Sequence, residues 1–264
     1  MLDLLRSIGR DIRREIASFR AEGAAGYARG RYPRGAGGDR THPVDKKAEE
    51  IVIAALGASG LPLLVVSEEA GEVSLNGGGD RRVLVDPIDG SRNAISGLPY
   101  YCTSMAVARG DTLKGAEVSY VINLVNGDEF WAELGKGAFL NGEPVHAQRD
   151  ETLYVVAYEA QSPERDVPRI LPLFKDARRT RCLGAVALDL AYLAAGAVSI
   201  FINPAPSRSV DFAAGWLLVK EAGGMMTDLE GEGLDEVPLL VKRSASLLAS
   251  GNRALHRKAL GLLR

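Results

Sequence analysis

The chain has 264 residues, of which 46% are hydrophobic and 25% charged, with a formal net charge of -2. That is enough material for a large layered core, and the composition excludes wholesale disorder and a fibrous class. The charge balance gives no global case for nucleic acid, and the two cysteines, Cys102 and Cys182, lack the spacing of a zinc or disulfide framework.

Cysteine usage of this kind fits a reducing compartment, with the cytoplasm as the default expectation. Asp3, Arg6, Arg10 and Asp11 break any signal-peptide core, and the apolar stretch 190–202 is too short to span a bilayer. No membrane partner is expected.

Leu4, Leu5, Ile8, Ile12, Ile16 and Phe19 recur at helical spacing, so the first twenty residues predict an amphipathic helix packed on a sheet. From Gly23 to Gly38 the composition turns to glycine, arginine and tyrosine. That predicts a mobile loop carrying Arg29, Arg31 and Arg34, either solvated linker or lid. Thr41-His42-Pro43 introduces a second helix, with Asp45 in its positive first turn, where an acid is ordinarily placed for the dipole.

Residues 61–67 are apolar and β-branched and end in Glu68-Glu69; Val83-Leu84-Val85 ends in Asp86-Pro87-Ile88-Asp89-Gly90-Ser91. Two strands thus deliver acids at their carboxyl ends, where open α/β sheets bind ligands. Gly90-Ser91 is expected to open a short helix with free N–H groups that suit a phosphate, and hard divalent cations prefer such oxygen ligands. The plain alternative is an ordinary Asp-Pro, Asp-Gly turn.

Segments 101–109, 115–122 and 127–133 alternate as an antiparallel meander, and Gly135 to Gly142 is expected to be a further tight turn. Val155–Tyr158 predicts a strand, Ser162–Asp176 a short helix with loops, Leu183–Ala195 a helix, and 198–202 a strand followed by a loop from Asn203 to Ser209. Asp211 starts a strongly apolar helix that ends at Glu221-Ala222-Gly223-Gly224; an N-cap role would suffice to explain it. A final strand region is expected over 237–248, then a closing helix capped by Asn252. The chain is expected to form one unit over 1–264, with approximate halves 1–150 and 151–264.

Asp45, Glu68-Glu69, Asp86-x-x-Asp89-Gly-Ser91 and Asp211-x-Ala-Ala-Gly followed by Glu221-Ala-Gly-Gly form an ordered set. It resembles the inositol monophosphatase superfamily of magnesium-dependent, lithium-sensitive phosphatases, and looks closest to archaeal-type members that act on both inositol monophosphate and fructose 1,6-bisphosphate. The resemblance implies a mixed α/β chain folded as a layered α-β-α-β-α sandwich, and a homodimer. It implies two or three Mg2+ per site, with Mn2+ as a substitute. Glu68, Asp86 and the Ile88 carbonyl would hold one ion, and Asp86, Asp89 and Asp211 a second. A third, where relatives have it, shares Glu68 with the loop before Asp39. Asp45, Glu68 and Ser91 would be catalytic, with water attacking directly, and Asp89, Gly90 and Ser91 would hold the phosphate. Arg181 and Val186 match substrate-contacting positions. Where relatives bind the sugar or a second phosphate, this chain has Pro204 or Ala205, and Arg208 would be the replacement, with a solvent-facing loop charge as its plain reading. The rival readings are a 3′-phosphoadenosine nucleotide phosphatase and a catalytically weak module that binds anionic metabolites.

Overall fold

The computed structural model describes residues 1–19, 23 and 32–264. Arg29 and Arg31 of the expected lid lie outside them. The remainder forms two sheets and, among the described residues, seven α-helices.

The larger sheet contains β1 (Leu63–Ser67), β2 (Gly71–Leu75), β3 (Arg81–Asp89), β4 (Cys102–Arg109), β5 (Ala116–Asn123), β6 (Glu129–Glu133), β7 (Gly137–Leu140) and β8 (Glu143–Val145), in the order β2-β1-β3-β4-β5-β6-β7-β8. Its neighbours are antiparallel except β1 and β3, which run parallel and so bring their acidic carboxyl ends side by side. The smaller sheet contains β9 (Val155–Tyr158), β10 (Arg179–Arg181), β11 (Ile200–Arg208), β12 (Met225–Thr227) and β13 (Arg243–Ser250), in the order β10-β9-β11-β13-β12.

Side chains alternate across a strand, and here both faces are covered, which is why the strand sequences read as continuous apolar runs. Val65, Val83 and Val85 pack with α1 (Leu2–Ile16) and α2 (Pro43–Ala58) through Leu5, Ile8, Ile12, Val52 and Leu56. Val66 and Leu84 point the other way, into a core shared with α5 (Val186–Ala194) and α6 (Ser209–Glu221), which also takes up Phe201, Leu247 and Ala249 of the smaller sheet. On that sheet's far side, Val156, Ile200, Ile202 and Leu248 meet Ile170 and Leu173 of α4 (Pro163–Asp176) and Leu255 of α7 (Arg253–Leu263). The layers therefore run α-β-α-β-α, as the resemblance implied.

Several local expectations need correcting. The segment 203–209 is not a loop: β11 continues to Arg208, and the five residues from Asn203 to Ser207 oppose three on β13, Leu247 to Ala245. Pro204 and Pro206 lie inside that bulge, where no ladder hydrogen bond is demanded of them. Residues 163–176 form one helix of 14 residues, with Ser162 as its cap, despite Pro168 and Pro172, because Ile170 and Leu173 are fully buried on the sheet. The expected turn over 135–142 is two turns with β7 between them, the second made by Asn141 (φ 53°) and Gly142 (φ 96°). The last strand lies at 243–250, later than expected, and pairs with the unanticipated β12.

Candidate active site

β1 and β3 end next to each other, so Glu68 and Glu69 leave one strand beside Asp86 and Asp89 on the other. Pro87 has no N–H to give to β4. Pairing jumps from Asp86–Ser104 to Asp89–Cys102, with three residues advancing against two, and Thr103 Oγ1 donates to the Pro87 carbonyl at 2.8 Å. This bulge turns both aspartates toward one cleft. Gly90 follows at φ 89°, where a Cβ would come within 3.0 Å of the Tyr100 carbonyl and 3.2 Å of that of Gly184, so glycine is required on both counts. The short helix α3 (Ser91–Ser96) then begins.

Asp211 is not an N-cap. It is the third residue of α6, its carboxylate accepts the Arg208 N–H at 3.0 Å, and Arg208 occupies the cap position. The cap arrangement places Asp211 facing β1 and β3. Carboxylate oxygens of Glu68, Asp86 and Asp211 lie within 4.8 Å of one another. Asp86 is 3% exposed, and its Oδ1 has no hydrogen-bond partner. A buried carboxylate oxygen without a donor, among three other acids, is costly unless a cation meets it. The donor set is all oxygen, which fits a hard divalent ion.

Electrostatics agree. Burial, then repulsion from Glu68, Asp89 and Asp211, raises the Asp86 carboxyl well above its ordinary range. Burial pushes Glu68 to about 8, although the Arg208 guanidinium opposes it. Asp89 is pushed to about 7 by burial, held back by the Ala187 N–H at 2.7 Å in the first turn of α5.

Asp45 does its plain job and another. One oxygen accepts the His42 N–H at 2.9 Å in a capping box, and the other lies 2.7 Å from Ser91 Oγ, which also lies 2.7 Å from the Ile88 carbonyl. Burial raises Asp45 to about 7 against those two hydrogen bonds. Asp86, Ile88, Asp89, Gly90, Ser91, Val186, Arg208, Asp211 and Glu68 all line one cleft of about 370 Å3. Asp45 sits behind it, reached through Ser91. Arg181 is not brought there; it is exposed at the sheet edge and donates to the Thr180 carbonyl at 2.8 Å. Arg208 is no solvent-facing loop charge: it is 7% exposed and paired with Glu68 (2.7 Å), Asp39 (3.0 Å) and Asp211 (3.0 Å).

Sequence reading missed Asp39, Arg243 and Glu159, all of which line the cleft. Glu159 accepts the Gly184 N–H at 2.9 Å, and burial pushes it to about 7. Its signal was present: Val155-Val156-Ala157-Tyr158 is a strand that ends in an acid, as 63–69 is.

Fold and site together define a class of enzyme that gathers carboxylates at parallel strand ends beside an anion-sized turn. Residues 8–264 match the inositol monophosphatase family. The chain is 37% identical over 239 residues to a fructose-1,6-bisphosphatase/inositol-1-monophosphatase of Methanothermobacter thermautotrophicus, covering 87% of this chain and 85% of that one. It is 34% identical to the protein of the same description from Archaeoglobus fulgidus, covering 87% and 86%. Among solved structures, the extragenic suppressor protein suhB from Bartonella henselae superimposes with a TM-score of 0.83 at 25% identity, covering 100% of this chain and 98% of that one. The chain belongs to the inositol monophosphatase family, and it is a phosphatase.

Proposed function

We propose that this phosphatase uses Mg2+ to hydrolyse phosphate monoesters of polyols and sugars, inositol monophosphate first and fructose 1,6-bisphosphate as a second substrate, by direct attack of water. The observation that carries the reading is the buried, unpartnered Asp86 Oδ1 among the oxygens of Glu68 and Asp211. Relatives described as fructose-1,6-bisphosphatase/inositol-1-monophosphatase support the substrate class. The same reading includes a lithium-sensitive homodimer in the cytoplasm.

Glu68, Asp86, the Ile88 carbonyl, Asp89 and Asp211 would hold the ions. Bound there, divalent cations supply Lewis-acid stabilisation of phosphoryl charge and make water more acidic. The rest is done by the chain. Gly90 and Ser91 present backbone N–H groups to the phosphate, in a turn whose left-handed Gly90 leaves no room for a side chain. Ser91 Oγ orients the attacking water and passes its proton toward the Asp45 carboxylate, which lies 2.7 Å from that hydroxyl. Val186, at the start of α5, lines the cleft and would contact the substrate.

The test is turnover on a panel of inositol, fructose and adenosine phosphates across a magnesium titration. Polyol and sugar phosphates are expected to lead, with release dependent on magnesium and an Asp89→Asn variant slower by roughly 10²-fold or more. Near-normal release by that variant would sink the mechanism. Preference for adenosine bisphosphates would replace the substrate class, and no magnesium binding by calorimetry would favour a non-catalytic module.

A further inference from the structure

Arg208 is the feature that the family reading leaves unexplained. Its Nε lies 3.0 and 3.2 Å from the two Asp211 oxygens, and its Nη1 lies 2.7 Å from Glu68 Oε1, 3.0 Å from Asp39 Oδ2 and 3.4 Å from the Gly37 carbonyl. Guanidinium never deprotonates in proteins, so this is a permanent charge. It is nearly buried, and it joins two acids of the cleft to a segment distant in sequence.

That segment is held independently. Gly37 N–H donates to the Glu68 carbonyl at 2.7 Å and Ala36 N–H to that of Glu69 at 2.9 Å, while Arg34 and Arg40 form an isolated antiparallel bridge. Glu68 Oε1, Asp39 Oδ2 and the Gly37 carbonyl therefore converge from two parts of the chain as an all-oxygen set, the donor type that hard divalent ions take. One nitrogen of Arg208 stands within reach of all three. A methyl at Gly37 would come within 2.5 Å of that nitrogen, so the backbone is fitted closely around the guanidinium. Glu68 is also within 4.8 Å of the Asp86 and Asp211 carboxylates, and there Asp86 Oδ1 is left without a donor.

We infer that Arg208 is a fixed internal cation that fills the Glu68–Gly37–Asp39 oxygen set and so limits this site to two divalent ions, on the Asp86 side. It cannot then serve as a free arm for a second substrate phosphate. The inference rests on the proposed metal-dependent reading and narrows it.

The experiment counts ions. Metal-free full-length protein is titrated with Mn2+, with free ion followed by electron paramagnetic resonance and Mg2+ calorimetry as the second readout. Wild type is expected to bind two ions per chain. Arg208→Met, which removes the guanidinium shared by all three oxygens and leaves Arg243 Nη2 on Asp39 alone at 3.3 Å, is expected to bind three; Arg208→Lys, which keeps a cation at that point, is expected to stay at two. Arg208→Gln, able to keep a donor to Asp211, serves in place of the methionine variant should that one not fold. Three ions in wild type overturn the inference whatever the variants do, as does a count of two in a folded Arg208→Met or Arg208→Gln. No ions in wild type would instead overturn the metal-dependent reading itself, so the two failures are distinguishable.

Discussion

Asp45 makes two separable contacts, and a single substitution tells apart the helix cap and the proposed proton acceptor. Its carboxylate completes the N-terminal cap of α2 through the His42 N–H and faces Ser91 Oγ on its other side. Asparagine in its place keeps a carbonyl oxygen for the cap but takes up no proton. Asp45→Asn is therefore expected to lower kcat by roughly 10²–10⁴-fold, the usual worth of a positioned general base, with KM and Tm nearly unchanged. Steady-state kinetics and a melting curve on the same preparation decide it: unchanged kcat would reduce Asp45 to a helix cap. An acid in a first helical turn has a sufficient local explanation, so the sequence could not reveal the second contact. That contact depends on where α3 starts, which in turn depends on the β3 bulge.

At the level of elements, strands followed by acids were legible because a β-branched run ending in carboxylates is a local pattern, as at 63–69 and 83–89. What was not legible is set by partners far away in sequence. The β11 bulge that absorbs two prolines is defined by its pairing with β13, the three-residue strands β8, β10 and β12 are too short to show a period, and the inward orientation of Arg208 follows from the cap of α6. Glycines follow the same division. Gly215 of α6 sits against α5, where a Cβ would meet Leu190 Cδ1 at 2.5 Å, while Gly57 of α2 has nothing within 4 Å. Gly215→Ala is thus expected to overpack the helix pair, costing about 1–3 kcal/mol and several degrees of Tm. Because the first turns of α5 and α6 hold Asp89 and Asp211, it should also weaken metal binding. Gly57→Ala, with open space and a helical neighbourhood, is expected to gain a few tenths to about 1 kcal/mol. Calorimetric melting of the pair checks both signs, and a neutral Gly215→Ala would show that the two helices can part without penalty.

Across the whole molecule, gathering acids in one cleft makes stability depend on pH and on metal together. Without divalent ions, burial holds Asp45 and Asp89 near 7 and Glu68 near 8, far above the roughly 4 expected in the unfolded chain. The folded state then binds more protons than the unfolded state between about pH 4 and 8, so linkage makes stability fall as pH rises through that window. His256 acts in the opposite sense. Burial beside Thr227 and Ser250 lowers it to about 4, so its contribution is complete above about 6.5 and lost as pH falls toward 4. The two trends offset each other below pH 6.5, and only the acidic one remains above it. Chelated protein is therefore expected to lose several degrees of Tm between pH 6.5 and 8, where a typical protein is flat. Saturating Mg2+ should abolish the fall, because a cation beside Asp86, Asp89 and Glu68 favours their charged forms and binds the folded state alone. Melting curves at half-unit pH steps, with chelator and with Mg2+, measure the difference. A chelated protein whose Tm stays level from 6.5 to 8 would mean that these carboxyls are already ionised in the folded chain below that window, so that the attraction of Arg208 for Glu68 outweighs the burial that raises it.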